Sequence, residues 1–372
     1  MKILHVVNSL EPGGMENGVV NMARALEPCG FEIHIACLER RGAFAGRLPH
    51  PGRVTVLGKA RGFSPSAALR LAAAISRLRP DAIHSHNLGA LIYASLATLG
   101  GRRTALIHGE HSQLTADELS PRRLRQRRWF YRACRAIHTV SHPMRDELLA
   151  LGFSAEKISV IPNGVDTAHF APGDRAAARA ALGLPADAVC IGIVGRFGPF
   201  KRHAVLLDAF AEIAARFPAA HLVVAGTGGS TEPAVRAHAL ASPHAARIHW
   251  LGFQSDPRAC YQALDLLAIP SANEGLSNVA LEAMACAVPV LANSGCGHEH
   301  IITSGTDGLI AGLATPAALT AQLAALLAQP ERLVDFGQKA RTKTLRDFSI
   351  DAMADAYASL YCTMIPPARP DR

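Results

Sequence analysis

Asn163-Gly-Val-Asp-Thr-Ala-His-Phe-Ala-Pro-Gly-Asp-Arg-Ala-Ala-Ala-Arg-Ala-Ala-Leu-Gly-Leu-Pro185 is the stretch that decides the fold. It holds Pro172, Gly173 and a short Ala-rich helix, and it interrupts a chain that otherwise alternates short β-branched runs with longer helical patterns. Upstream, strands are predicted at 3–8, 32–38, 54–57, 82–86, 105–111, 137–141 and 158–162, with amphipathic stretches such as 64–78 and 143–151 between them. Downstream, the alternation restarts with strands at 190–195, 221–225, 248–251, 266–269, 289–292 and 308–311. Alternation of this kind builds parallel sheets from βαβ units, and a restart after a break means two of them. The predicted fold is therefore α/β, with two doubly wound, Rossmann-like domains, residues 1–170 and 171–348, and a last helix at 349–364 packing back on the first. Ligands of such sheets bind beyond the carboxyl ends of the strands, so the site is expected in a cleft between facing domains.

Composition agrees with this reading. The 372 residues suffice for two domains at roughly 100–200 residues each. With 49% apolar and 18% charged residues, disorder, collagen and coiled coil are poor descriptions. The net charge of +8 is one-sided: residues 1–170 carry 22 basic against 13 acidic side chains, the remainder 16 against 17. Such an excess suits a surface that meets phosphates, lipid headgroups or nucleic acid, or one that only keeps the protein soluble. The eight cysteines stand apart with no CxxC pair, which excludes a zinc knuckle and reads as reduced core thiols. Met1 to Val7 runs straight into a strand without signal-peptide character, and no apolar run reaches the ~18 residues of a membrane span. A cytoplasmic protein is expected, with any membrane contact peripheral.

The common nucleotide and hydrolase fingerprints are missing. Gly195-Arg-Phe-Gly-Pro-Phe-Lys201 lacks the P-loop order, Gly226-Thr-Gly-Gly229 is not GxGxxG, and neither GxSxG nor HExxH occurs. His108-Gly-Glu110 matches the HxE of zinc deaminases but has no PCxxC partner. Two constellations remain. Glu274-Gly-Leu-Ser-Asn-Val-Ala-Leu-Glu282 leads into an apolar helix, with Ser277 or Asn278 as its N-cap. Two carboxylates and the amides of Gly275, Leu276 and Ser277 are thereby offered to one ligand, a phosphate being favoured at a helix N-terminus. Acids near a helix start also stabilise it without any ligand. The second constellation is Gly195-Arg196 followed by Lys201-Arg202, two cations on a loop that could balance a diphosphate. Cations at a helix start oppose its dipole, and a locally unfavourable choice points to function.

Together these residues resemble the retaining glycosyltransferase family 4, with its two-domain GT-B fold, and in particular bacterial surface-polysaccharide sugar transferases. The resemblance covers nearly the whole chain. It includes Pro12-Gly13-Gly14-Met15-Glu16, Ile161-Pro-Asn-Gly-Val-Asp166, Val194 to Lys201, the Glu-x7-Glu pair Glu274 and Glu282, and the continuation to Pro289. It implies that Arg196 and Lys201 bind the pyrophosphate of a nucleotide diphosphate sugar, that Glu282 holds the ribose and that Glu274 meets the transferred sugar. Gly14 would face the donor phosphate from the first domain, and the backbone of Leu251-Gly-Phe253 would lie against the base. The sugar-side histidine of the family aligns with His111, with His108 as the lesser candidate. His84 and His86, two apart on one strand, share a face, so a metal is conceivable there, although no third ligand is indicated. Where relatives carry a second Gly and a Pro after the position of Gly295, this chain has Cys296 and His298 ahead of Glu299.

The implied reaction moves a hexosyl group to a saccharide or lipid-linked acceptor hydroxyl with retention, in exopolysaccharide or lipopolysaccharide synthesis. Cations and helix-end amides would stabilise the departing diphosphate, without cofactor or metal. Alternatives are a nucleotide-sugar epimerase on the same fold, or a catalytically silent sugar-nucleotide-binding protein at the membrane. Nucleic acid is not an expected partner, because no RNA-binding motif accompanies the charge. An anionic membrane surface is, through Pro121 to Arg135, where seven Arg and the aromatics Trp129, Phe130 and Tyr131 read as a basic amphipathic helix. A core-packing helix with a solvated Arg face is the plainer alternative.

Overall fold

The structure is a computed structural model that describes residues 1–99, 104–272 and 276–365. It forms two compact units, Met1–Gly164 with Ile350–Arg372, and Val165–Ser349. The first runs β1 (Lys2–Ser9), α1 (Gly14–Leu26), β2 (Glu32–Arg40), β3 (Val54–Val56), α2 (Pro65–Leu78), β4 (Ala82–His86), α3 (Asn87–Ala97), β5 (Ala105–Glu110), α4 (Pro121–Ala133), β6 (Ala136–Thr139), α5 (His142–Ala150) and β7 (Ile158–Val160). The second runs α6 (Arg175–Ala181), β8 (Val189–Val194), α7 (His203–Arg216), β9 (Ala220–Ala225), α8 (Glu232–Leu240), β10 (Ile248–Gly252), α9 (Arg258–Ala263), β11 (Leu266–Ile269), α10 (Asn278–Ala285), β12 (Val290–Asn293), β13 (Leu309–Ala311), α11 (Pro316–Leu327) and α12 (Pro330–Asp347). A final helix, α13 (Ile350–Met364), belongs to the first unit.

Each unit is one parallel sheet, ordered β3-β2-β1-β4-β5-β6-β7 and β10-β9-β8-β11-β12-β13. In both, the winding direction reverses at the middle, between β1 and β4 and between β8 and β11. Those reversals are the crevices where a doubly wound sheet takes its ligand. The strands are apolar because helices cover both faces: Ile3, Val6 and Val7 of β1 and Leu266, Leu267 and Ala268 of β11 are at most 1% exposed. Helix starts are marked by side-chain caps, Ser64 Oγ accepting from Ala67 N, Asp174 from Ala177 N and Thr315 from Ala318 N.

Strand ends shift where chemistry demands it. Pro289 lacks an N–H for the ladder, and β12 starts at Val290. His111 lies just beyond β5. The units divide at Gly164/Val165 and at Ser349/Ile350, because the two crossing segments pair: Val165 bridges Ser349, and its N–H donates to Phe348 O at 2.9 Å. Helix α13 lays Met353, Ala354, Tyr357 and Tyr361 into the core that holds Val19 and Met22 of α1. Six cysteines are buried and unpaired, whereas Cys29 and Cys362 are exposed, correcting their reading as core thiols. Among the described residues no helix is long and apolar enough to cross a membrane.

Candidate active site

In the second unit the β8 terminus is built by glycines that allow close backbone approach. Gly195 (φ 145°) and Gly226 (φ 136°) adopt conformations strained for other residues, and a Cβ on Gly226 would sit 2.1 Å from Gly195 O. Gly226 N–H in turn donates to Gly252 O at 2.7 Å, gathering the ends of β8, β9 and β10. The segment Gly226-Thr-Gly-Gly229, which matched no fingerprint, therefore has a structural task. After Gly195 the chain exposes Arg196, buries Phe197 and turns through Pro199–Lys201. Lys201 folds back toward the strand end, its Nζ 3.8 Å from the point a Gly195 Cβ would occupy. Arg202, at φ 55°, is a strained non-glycine residue between this turn and α7, and its Nη1 donates to Pro270 O at 3.2 Å. Ala272 N–H donates to Phe200 O at 2.7 Å. The loops after β8 and after β11 are thus tied across the sheet's reversal point.

From the β11 side, Ser277 caps α10 by accepting from Ala280 N, so Asn278 is the first helical residue. Leu276 and Ser277 are buried, which turns their side chains away from a ligand. Glu282 lies one turn into α10 and accepts from Tyr261 Oη at 2.7 Å. Tyr261, fully buried, has its phenol pushed well up by burial and then by the Glu282 charge, so it remains a donor. Glu274 and Gly275 lie outside the described residues. Phe253, just past β10, is 53% exposed beside Gly252 at φ 67°. Cys296 and His298 are buried, Cys296 Sγ against Ser271 O at 3.3 Å, and Gly295 N–H donates to Glu299 Oε1, closing that loop on itself.

In the first unit, Gly14 is exposed as the first residue of α1. The tight backbone approach expected of it belongs instead to Gly42 (φ 75°), where a Cβ would meet Leu10 C at 2.1 Å. Across the reversal point stands Asn87, at φ 64° the first residue of α3, with its Nδ2 3.4 Å from Met15 Sδ. A strained Asn at this position is a site feature that sequence reasoning passes over, since nothing local demands αL there.

His84 and His86 do share a face, and they do have a third imidazole: His5 of β1, paired with His84 in register. Ring nitrogens of these three lie within 4.8 Å of one another. The rings are nevertheless spent on each other. His5 Nδ1 meets His86 Nε2 at 2.9 Å, His86 Nδ1 meets His111 Nε2 at 2.8 Å, and His84 meets Tyr361 Oη at 2.7 Å and His138 Nε2 at 2.9 Å. Centroids of the bonded imidazole pairs are 5.0–5.2 Å apart, the N···N distance plus two ring radii, so the nitrogens point head-on. Ligands converging on one ion meet at an angle instead.

His108 and Glu110 occupy the opposite face of β5. Glu110 accepts from Arg127 Nε at 3.0 Å and Tyr131 Oη at 2.5 Å, with His108 Nε2 at 3.2 Å. Burial alone would raise the Glu110 carboxyl, but the His108 hydrogen bond and charge and the Arg127 guanidinium hold it below its usual range. Arg127 is accordingly buried, a correction to a helix read as uniformly basic outside. Arg122, Arg123, Arg125 and Trp129 are the exposed ones.

Two Rossmann-like units, each with its distinctive loops at the sheet reversal, define a nucleotide-sugar transferase of the GT-B class. The chain belongs to the family 4 glycosyltransferases. Residues 12–169 match the model described as Glycosyltransferase Family 4, and 174–343 the one described as Glycosyl transferases group 1. It is 30% identical to D-inositol 3-phosphate glycosyltransferase 2 of Catenulispora acidiphila, over 98% of this chain and 93% of that protein. The Anabaena Alr3699/HepE structure in complex with UDP and glucose superposes with TM-score 0.86 at 22% identity, covering 98% of this chain and all of that one. The apo lipopolysaccharide outer core galactosyltransferase WaaB does so with TM-score 0.67 at 19% identity, covering 98% and 100%.

Proposed function

We propose that the protein transfers a hexosyl group, with retention, from a uridine diphosphate sugar to a saccharide or lipid-linked acceptor hydroxyl at the bacterial inner membrane surface. The observation that carries the reading is the pairing at the β8/β11 reversal: Arg196 and Lys201 on one loop and the Tyr261-held Glu282 on the other side. In this proposal the two cations stabilise charge on the departing diphosphate, the largest expected catalytic contribution. Glu282, fixed by Tyr261, accepts from the ribose hydroxyls, and Phe253 backs the base. Glu274 orients the transferred sugar. From the first domain Gly14 offers its amide to the donor phosphate and His111 meets the sugar. The UDP carried by HepE supports uridine as the base. The acceptor assignment rests on the family resemblance and on the exposed Arg face of α4.

A second acceptor reading, a small phosphorylated polyol, is favoured by the relatives named for D-inositol 3-phosphate. Incubating the full chain with UDP-sugars and either undecaprenyl-linked saccharide or inositol phosphate, and measuring UDP release and product, tests both. Donor turnover without acceptor would point to an epimerase. No heat stabilisation by any nucleotide sugar would remove the donor proposal, since a ligand of the native state raises its melting temperature.

A further inference from the structure

The imidazoles of His5, His86 and His111 form one unbranched hydrogen-bonded file across β1, β4 and the end of β5. Each neutral ring has one N–H and one lone pair, so the file runs in one of two directions. In the first, His5 Nδ1–H donates to His86 Nε2 and His86 Nδ1–H donates to His111 Nε2, leaving N–H on His111 Nδ1. In the second, every proton moves to the other side of its bond and the leftover N–H sits on His5 Nε2. Neither His5 Nε2 nor His111 Nδ1 has a partner among the described residues. The two ends differ in their surroundings. His5 is fully buried, whereas His111 is the one ring of the three that is partly exposed. An N–H without an acceptor in the core is the rarer and costlier orphan, so the first direction is favoured.

The backbone is shaped for this contact. Gly109 faces the imidazoles, and a Cβ there would lie 2.9 Å from His111 Nε2 and 2.5 Å from His138 Nε2. Only glycine leaves room for His111 to fold back over β5 onto His86.

We infer that His5 and His86 are positioning residues that lock His111 in its Nδ1–H form, so that His111 presents a neutral hydrogen-bond donor to an oxygen of the transferred sugar. The inference rests on the proposal that His111 meets that sugar. It gives His111 the part of a donor, not of a base: the nitrogen facing the ligand carries a proton, and the basic one is occupied by His86. Burial keeps the ring uncharged, lowering His111 to about 4 with Glu110 opposing and His108 reinforcing, and His5 to about 3.

Ring-nitrogen NMR of the full chain with ¹⁵N-histidine, His111 being assigned by its loss in His111→Gln, reads the tautomer directly. The expected result is protonated Nδ1 and bare Nε2 in the wild type, reverting in His86→Leu toward the Nε2–H form. His86→Gln, whose amide can donate to His111 Nε2, should restore the Nδ1–H form. Sugar transfer per unit donor, kcat/KM, should fall about tenfold in His86→Leu, the worth of one hydrogen bond, and recover in His86→Gln. Nε2–H in the wild type overturns the inference, even when His111→Gln is inactive and should His86→Leu not fold. An Nδ1–H signal with full activity in His111→Gln would instead remove His111 from the sugar site, a failure of the functional proposal that the spectrum separates from the first.

Discussion

At the scale of single residues, the site divides into groups that local spacing announces and groups that only register brings in. Lys201 and Glu282 are visible in the sequence because a cation pair against a helix dipole, and two acids seven apart around a helix start, are locally unfavourable or unusual. Arg196→Ala or Lys201→Ala should therefore lower turnover roughly 100-fold, by analogy with loss of one oxyanion donor, with little change in melting temperature. Near-normal turnover in both variants, with the correct donor and acceptor, would withdraw the assignment. Tyr261 was not legible, since a Tyr within the buried stretch Cys260 to Ala263 reads as core. It is core, and it also holds Glu282. Tyr261→Phe should weaken binding of the bare nucleoside diphosphate several-fold by freeing that carboxylate, as calorimetry would show; unchanged affinity would mean that Glu282 needs no support. His5 escaped in the same way: it becomes a neighbour of His84 only through a strand pairing that no periodicity in β1 encodes.

Elements were more legible than their faces. Every predicted strand exists within a residue or two, because β-branched runs flanked by Gly and Pro are a local signal. The orientation of α4 was not, since seven Arg swamp the apolar periodicity. The decisive residue is Glu110, which turns Arg127 inward to a fully buried ion pair extended by Tyr131 and Glu118. Arg127→Ala would strand a buried carboxylate and should destabilise the protein by about 3–5 kcal/mol, seen in denaturant unfolding. Serines at Arg122, Arg123 and Arg125 should leave stability within ~0.5 kcal/mol while reducing low-salt sedimentation with anionic vesicles, each charge being worth about 1 kcal/mol near a lipid surface. Vesicle binding unaffected by the triple change would assign the exposed face to solubility alone, and the lipid-linked acceptor would lose its structural support.

For the whole molecule, alternation and one break suffice to read two doubly wound units and a returning last helix, because each βαβ unit is encoded locally. Strand order is not, as it depends on which edges later strands find, so the two reversal points came from the structure. One of them has a consequence for the entire first unit. Its centre stacks His5, His84, His86, His111 and His138, all lowered by burial and then by one another's charge, to about 3 for His5, about 4 for His111 and well below the ordinary value for the rest. In the unfolded chain each titrates near 6.5. Above that pH both states are neutral and stability is flat. Below it the unfolded state binds protons that the folded one refuses, so stability falls with pH by up to ~1.4 kcal/mol per unit for each ring until the folded values are reached. Glu110, held low in the fold, adds a loss of the same sign, but only below its ordinary value of 4.5. In the second unit His203 alone is comparable, lowered to about 4 by burial and then Lys201. Calorimetric scans should therefore show the first unit's transition dropping between pH 7.5 and 5.5, far more steeply than the second's, while between pH 8.5 and 7.5 both stay put. A first-unit melting temperature independent of pH down to 5.5 would mean that the five rings are not buried together as neutral groups, and the hydrogen-bonded file to His111 would fall with them.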